Sequence, residues 1–96
     1  MNERAIANAS SRPRLAAHRR LRFDKIRESW TIQAPERAFL LDESAHAIVL
    51  RCNGETTIAA IVDDLCKAFA GAPRDVVATD VLKLVQDFLD GGVMTQ

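Results

Sequence analysis

Two histidines and two cysteines are the side chains of this 96-residue chain best suited to acid–base, nucleophilic or metal chemistry. Their spacing gives them little to work with. His18 and His46 each lack a carboxylate, thiol or second histidine at ligand spacing, so both are expected at the surface. Cys52 and Cys66 form no Cys-x-x-Cys pair, and two widely spaced cysteines indicate neither a disulfide framework nor a zinc cluster. Both fall on or beside apolar helix stripes, where a free thiol packs as a small hydrophobe. No glycine-rich phosphate loop, Ser/His/Asp set or paired-carboxylate cleft can be assembled from the rest. The residue types therefore point to recognition rather than catalysis, with no cofactor and no metal site.

The segment with a recognition chemistry of its own is Ala38-Phe39-Leu40-Leu41, preceded by Glu36 and Arg37. In a small sheet that packs on helices with one face, side chains should alternate between apolar and polar, and this run does not. Successive side chains point to opposite faces, so either Phe39 and Leu41 enter the core while Ala38 and Leu40 face elsewhere, or the reverse. One face then needs a second cover. An edge strand offers unpaired backbone groups that bind an incoming chain, while side-chain pockets supply selectivity. If Leu40 faces the incoming chain, Leu40→Asp should weaken binding more than folding.

The elements that must position this segment are read from periodicity. Leu21 and Phe23 alternate with Arg20, Arg22 and Asp24, and Trp30, Ile32 and Ala34 alternate with Thr31 and Gln33. Period two with aromatic and β-branched residues predicts two strands joined by a turn over Lys25 to Glu28, with Trp30 packing the sheet on its core. Pro35 ends the second strand before Ala38 to Leu41. Asp42 caps a short helix with Ala45, Ile48, Val49 and Cys52 on one stripe, stopped by Asn53-Gly54. Thr56 or Thr57 caps a second, burying Ile58, Ile61, Val62, Leu65 and Phe69 and ending at Gly71. A third starts near Pro73-Arg74-Asp75, carries Val77, Val81, Leu84, Val85 and Phe88, and stops at Gly91-Gly92. Val93-Met94 can add a terminal strand. The expected fold class is α+β, winged-helix-like, with three N-terminal β-strands followed by a three-helix bundle. Residues 1–14 read as a flexible lead-in and 15–96 as the folded domain.

Composition bounds the partners. The chain is 48% apolar and 27% charged with zero net charge, which is ordinary for one small globular domain. Residues 1–28 hold eight Arg and Lys against three Asp and Glu, and residues 29–96 hold five against ten. A winged helix raises the alternative of nucleic-acid binding, but the third helix would enter the groove with Arg74 and Lys83 outnumbered by Asp75, Asp80, Asp87 and Asp90. Only the basic arm would attract phosphate. No run approaches a membrane span, and the basic, Ala-rich start lacks the apolar core of a signal peptide, so the cytoplasm is the expected location, without membrane contact.

Pro35-Glu36-Arg37-Ala38-Phe39-Leu40-Leu41, followed by Ser44-Ala45, Ile48, Leu50, Cys52 and Gly54, resembles the pyrroloquinoline quinone (PQQ) biosynthesis peptide-chaperone family, PqqD. Pro13-Arg14-Leu15, Arg20-Leu21-Arg22-Phe23, Thr57-Ile58 with Ile61-Val62, and Asp80-Val81 with Phe88-Leu89 and Gly91-Gly92 extend the likeness from about residue 13 to the end. Asn53 departs from the Asp usual before that glycine, and Asn tolerates the same left-handed turn. The resemblance implies a recognition element for ribosomally made, post-translationally modified peptides (RiPP). It would bind the PQQ precursor peptide and present it to a radical S-adenosylmethionine (SAM) enzyme that joins a Glu to a Tyr. It also implies that the leader pairs with the third strand, here Arg37 to Leu41, and lies against a helix. That helix is either the third, through Val77, Val81, Leu84 or Val85, or the first, through Val49 and Leu50.

Overall fold

A computed structural model of the chain describes residues 5–96. The alternating segments form an antiparallel meander of β2 (Arg20–Asp24), β3 (Ser29–Ala34) and β4 (Arg37–Leu41), in that spatial order. Leu21 pairs with Ile32 and Ile32 with Phe39, while Trp30 stands opposite Phe23 and Leu41, so these side chains share the helix-facing side. Arg20, Arg22, Thr31, Gln33, Ala38 and Leu40 take the other. Lys25 to Glu28 make the β2–β3 turn, held by Asp24 Oδ1 accepting from the amides of Ile26 and Arg27. Pro35 and Glu36 turn β3 into β4 with Glu36 at φ 67°, a left-handed position that few non-glycine residues occupy.

Three helices close over the sheet: α1 (Glu43–Leu50), α2 (Ile58–Ala68) and α3 (Arg74–Asp90). Asp42 caps α1 by accepting from Ala45 N at 2.7 Å, and Thr57 caps α2 by accepting from Ala60 N at 3.2 Å. An oxygen at this position satisfies one of the orphan amides of the first turn. Ile32, Ile61, Val81 and Val85 are fully buried where sheet, α2 and α3 meet, and Ile48, Val49 and Leu41 close the core from α1 and β4. The α+β order of sheet then helices is the expected one.

Three details depart from the sequence reading. The first helix ends at Leu50 with Arg51 as its C-cap, ahead of Asn53-Gly54. Those two residues instead build the α1–α2 connection. Asn53 Oδ1 accepts from the amides of Glu55 and Thr56, and Gly54, at φ 80°, donates its amide to Pro13 O at 2.9 Å. A Cβ at Gly54 would meet the Arg14 side chain at 3.0 Å. Phe69 caps the end of α2 and stays 43% exposed rather than entering the core. His46 is half-buried, its ring stacked on Trp30 at 4.5 Å with an interplanar angle of 10°, whereas His18 is exposed.

Residues 5–14, the described part of the segment read as a flexible lead-in, lie against the domain; residues 1–4 lie outside the described residues. Ser11 and Pro13 are buried, and the carbonyls of Ala9 and Ser11 accept from the first amides of α2, Ala59 and Ile58. Gln86 of α3 accepts from Ala7 N and donates to Ala5 O. The segment runs into β1 (Arg14–Leu15), which pairs antiparallel with β5 (Met94–Thr95). The strap thus substitutes for water at a helix start, which gives it a place in the packed body.

Two outcomes follow from this packing. Deleting residues 1–12 removes both carbonyls over α2 and should lower the unfolding free energy by about 1–3 kcal/mol in urea titrations, at 0.5–1.5 per hydrogen bond; unchanged stability would mean the strap is idle. Cys52 donates to Ile48 O and is buried, which pushes its thiol from the ordinary value of 9.0 to about 12. Its folded pKa lies above the unfolded one, so its contribution is complete below about pH 9 and is lost as pH rises toward 12. With a thiol reagent at pH 8, Cys66, only half-buried, should react well before Cys52. Equal rates would contradict the burial.

Candidate functional site

Among the described residues, β4 pairs with β3 on one side and with no strand on the other. Its side chains divide as the pleat demands. Phe39 and Leu41 point toward the helices, Leu41 buried and Phe39 partly so, whereas Ala38 is exposed and Leu40 is 59% exposed on the outer face. Nothing among the described residues provides a second cover for Leu40. Beneath it Thr31 is buried and satisfies its hydroxyl by donating to Arg22 O at 3.0 Å. The Arg37 guanidinium lies 5.3 Å from the Phe39 ring centroid, within cation–π range.

The free edge is flanked by α3. The rings of Phe39 and Phe88 meet edge to face at 5.9 Å and 64°, an arrangement aromatic quadrupoles favour. Asp80, Lys83, Leu84, Asp87 and Phe88 line a shallow hollow of about 250 Å³ on that face of α3. A second cavity, also about 250 Å³, lies where the first turns of α1 and α3 meet the end of α2. Its floor is Ala47, Ile48, Leu65 and Val81, all buried, and its rim carries Phe69, Val76, Ser44 and Asp80. Asp80 belongs to both. Phe39, within β4, touches Phe88 near the end of α3, while Ser44, just past β4, lines the same cavity as Val76 and Val77 near its beginning. Strand and helix therefore run in opposite directions along one groove.

The structure separates the sequence candidates. Arg37, Ala38, Phe39, Leu40 and Leu41 form the strand; Leu84 lines the shallow hollow, and Val77 and Val81 the deeper cavity. Val85 is fully buried in the core and lines neither. Val49 is likewise core, and Leu50 is exposed without lining either hollow, so α1 contributes through Ser44, Ala47 and Ile48 instead. Leu40 lies on the face away from α3, so the orientation on which the Leu40→Asp expectation was conditional is not the one found. Val76 was legible as an apolar residue beside the Val77-Val81-Val85 stripe and so outside the core. Phe69, Asp80 and Asp87 gave no comparable signal, because their place depends on how the helices cross.

The lining is aliphatic, aromatic or carboxylate apart from Ser44 and Lys83. Among the described residues, no group of three or more His, Cys, Asp or Glu is placed to hold a metal ion. Such a surface can hold an extended chain by its backbone and its apolar side chains.

Residues 29–94 match the family model described as coenzyme PQQ synthesis protein D (PqqD). The chain belongs to the PqqD family. It is 41% identical over 87 residues to a PqqA binding protein of Bradyrhizobium diazoefficiens, covering 91% of this chain and 84% of the relative. A PqqA binding protein of Gluconobacter oxydans is 36% identical over 75 residues, 78% of this chain and 77% of the other. Among solved structures, the PqqD truncation of Methylobacterium extorquens PqqCD, described as a functional and stand-alone RiPP recognition element, superposes with a TM-score of 0.80 at 30% identity. The match covers 97% of each chain. PqqD from Xanthomonas campestris superposes with a TM-score of 0.60, also at 30% identity, over 85% of this chain and 90% of that one. The PqqD match spans all of β3 through α3, the elements that make the groove.

The two faces of β4 should respond differently to substitution. Leu40→Asp should change the unfolding free energy by no more than about 0.5 kcal/mol, as exposed substitutions do. Phe39→Ala, which removes the Phe88 contact, should cost about 1–3 kcal/mol in the same urea titration. The reverse ranking would mean that the faces are exchanged.

Proposed function

We propose that the protein is a non-catalytic adaptor of PQQ biosynthesis that binds the ribosomally made precursor peptide as an added strand on the free edge of β4, alongside α3. The observation that carries this reading is the single-sided pairing of β4 beside Leu84 and Phe88. Backbone pairing supplies affinity, and each large apolar side chain buried against α3 adds roughly 1.5–3 kcal/mol before ordering costs. The relatives called PqqA binding proteins and the recognition element of Methylobacterium extorquens support the same guest. The adaptor then presents the bound peptide to the radical SAM enzyme that joins a Glu to a Tyr, raising its local concentration. It acts in the cytoplasm, where a ribosomal peptide emerges; no helix among the described residues is long and apolar enough to cross a membrane.

The nucleic-acid reading gains nothing from the geometry. α3 exposes Asp75, Asp80 and Asp87 against Arg74 and Lys83, and Arg74 is engaged with Asp63. Phosphate would meet repulsion along this helix.

Calorimetric titration with two synthetic precursor peptides tests the pairing, one plain and one N-methylated on alternate backbone amides. Removing two or three strand hydrogen bonds should weaken binding by about tenfold or more while leaving every side chain in place. Equal affinity would exclude strand addition, and retention of a DNA duplex at physiological salt with no peptide binding would favour the rival.

A further inference from the structure

The deeper cavity is not needed for strand pairing, because it begins beyond Leu41, where β4 has ended. We propose that it is an anchor pocket for one large apolar side chain of the guest peptide, outside the stretch paired with β4, and that Asp80 on its rim selects a basic residue beside that anchor. This rests on the peptide-binding reading and extends it to sequence selectivity.

Size and lining define the anchor. A cavity of roughly 150 Å³ lined by apolar side chains is enough to bind benzene, and this one, at about 250 Å³, takes a phenyl or indole group or a long aliphatic chain. Its floor is entirely apolar. Phe69 and Val76 on the rim leave large parts of their apolar surface in water, and a side chain seated between them would cover it. Small apolar groups would leave the cavity partly empty and forfeit contacts with its walls.

Continuity with β4 identifies the occupant. Asp80 lies on both the cavity rim and the hollow beside β4, so a peptide leaving the strand edge toward the beginning of α3 passes over its carboxylate. Among the described residues Asp80 has no ion-pair partner, whereas Asp63 and Asp64 of α2 are engaged by Arg74 and Arg51. A Lys or Arg next to the anchor would pair with this exposed carboxylate, a modest gain of the size of a surface ion pair that biases the choice of neighbour.

The test uses a fluorescein-labelled synthetic precursor peptide, and copies with each large apolar residue replaced by alanine in turn, read by anisotropy against the whole chain. On the native protein one replacement outside the paired stretch should weaken binding at least about tenfold. Val76→Trp, at an exposed rim position, fills the cavity; it should weaken the unmodified peptide similarly and abolish the difference between that copy and the original. Phe69→Ser opens the rim and should give a smaller loss, which keeps the test alive should Val76→Trp not fold. Asp80→Lys should weaken binding severalfold, and unchanged affinity would remove the charge selection. Native-strength binding by both Val76→Trp and Phe69→Ser overturns the anchor pocket while leaving strand addition intact. No binding by the native chain instead fails the peptide-binding reading itself. A third outcome is a dimer that dissociates in Val76→Trp without change in peptide affinity. It would assign the cavity to the hairpin tip of a second copy, where Ile26 is 96% exposed between Lys25 and Arg27, and would also overturn the proposal.

Discussion

A three-stranded sheet covered by helices on one face must end in two strands that each lack a neighbour, and everything distinctive about this protein follows from how those ends are used. β2 terminates one side under Arg20 and Arg22, charges that discourage pairing. β4 terminates the other and carries four consecutive apolar residues, the opposite of a protected edge. Phe39 then does two things at once: it fills the space under the sheet and leans on Phe88, which sets α3 beside the open strand. The core contact and the groove are thus one construction.

That construction gives so short a chain a surface suited to recognising a peptide. Backbone pairing binds any extended segment, and selectivity has to come from what lies beside it. Here the neighbours are the carboxylates and apolar side chains of α3 and the cavity under Val76 and Phe69. Its thiols stand apart from this surface, Cys52 held protonated by burial and Cys66 on α2 outside the lining. Membership of the PqqD family supplies the biosynthetic setting, coenzyme PQQ synthesis, in which such selectivity is useful.

Most of the scaffold could be read from residue patterns, and the reasons are local. Alternation exposed β2 and β3, the break in alternation exposed β4, and Asp42 and the Thr56-Thr57 pair marked helix starts, where the structure contains the hydrogen bonds of Asp42 and Thr57. The strap and β1 escaped, and Val93-Met94 could be read as a terminal strand but not given a partner, since two-residue strands have no period and carbonyls that cap a distant helix leave no trace in sequence. Asn53-Gly54 looked like a helix stop and proved to be the left-handed link that meets Pro13. The strand half of the site was legible for the same local reason. Its helix half was only partly so: Leu84, Val77 and Val81 line the hollows, but Val85 and Val49 went to the core and Leu50 to solvent, according to helix crossing geometry that no short window encodes.

Isotope-edited NMR of the labelled protein with the unlabelled precursor peptide addresses the central claim at its most physical, by asking which backbone lies beside which. Strand addition at β4 requires cross-strand backbone contacts between the peptide and residues 37–41, together with side-chain contacts to Leu84 and Phe88. Contacts confined to the free edge of β2, to the hairpin tip around Ile26, or to the N-terminal strap, with residues 37–41 silent, would contradict it.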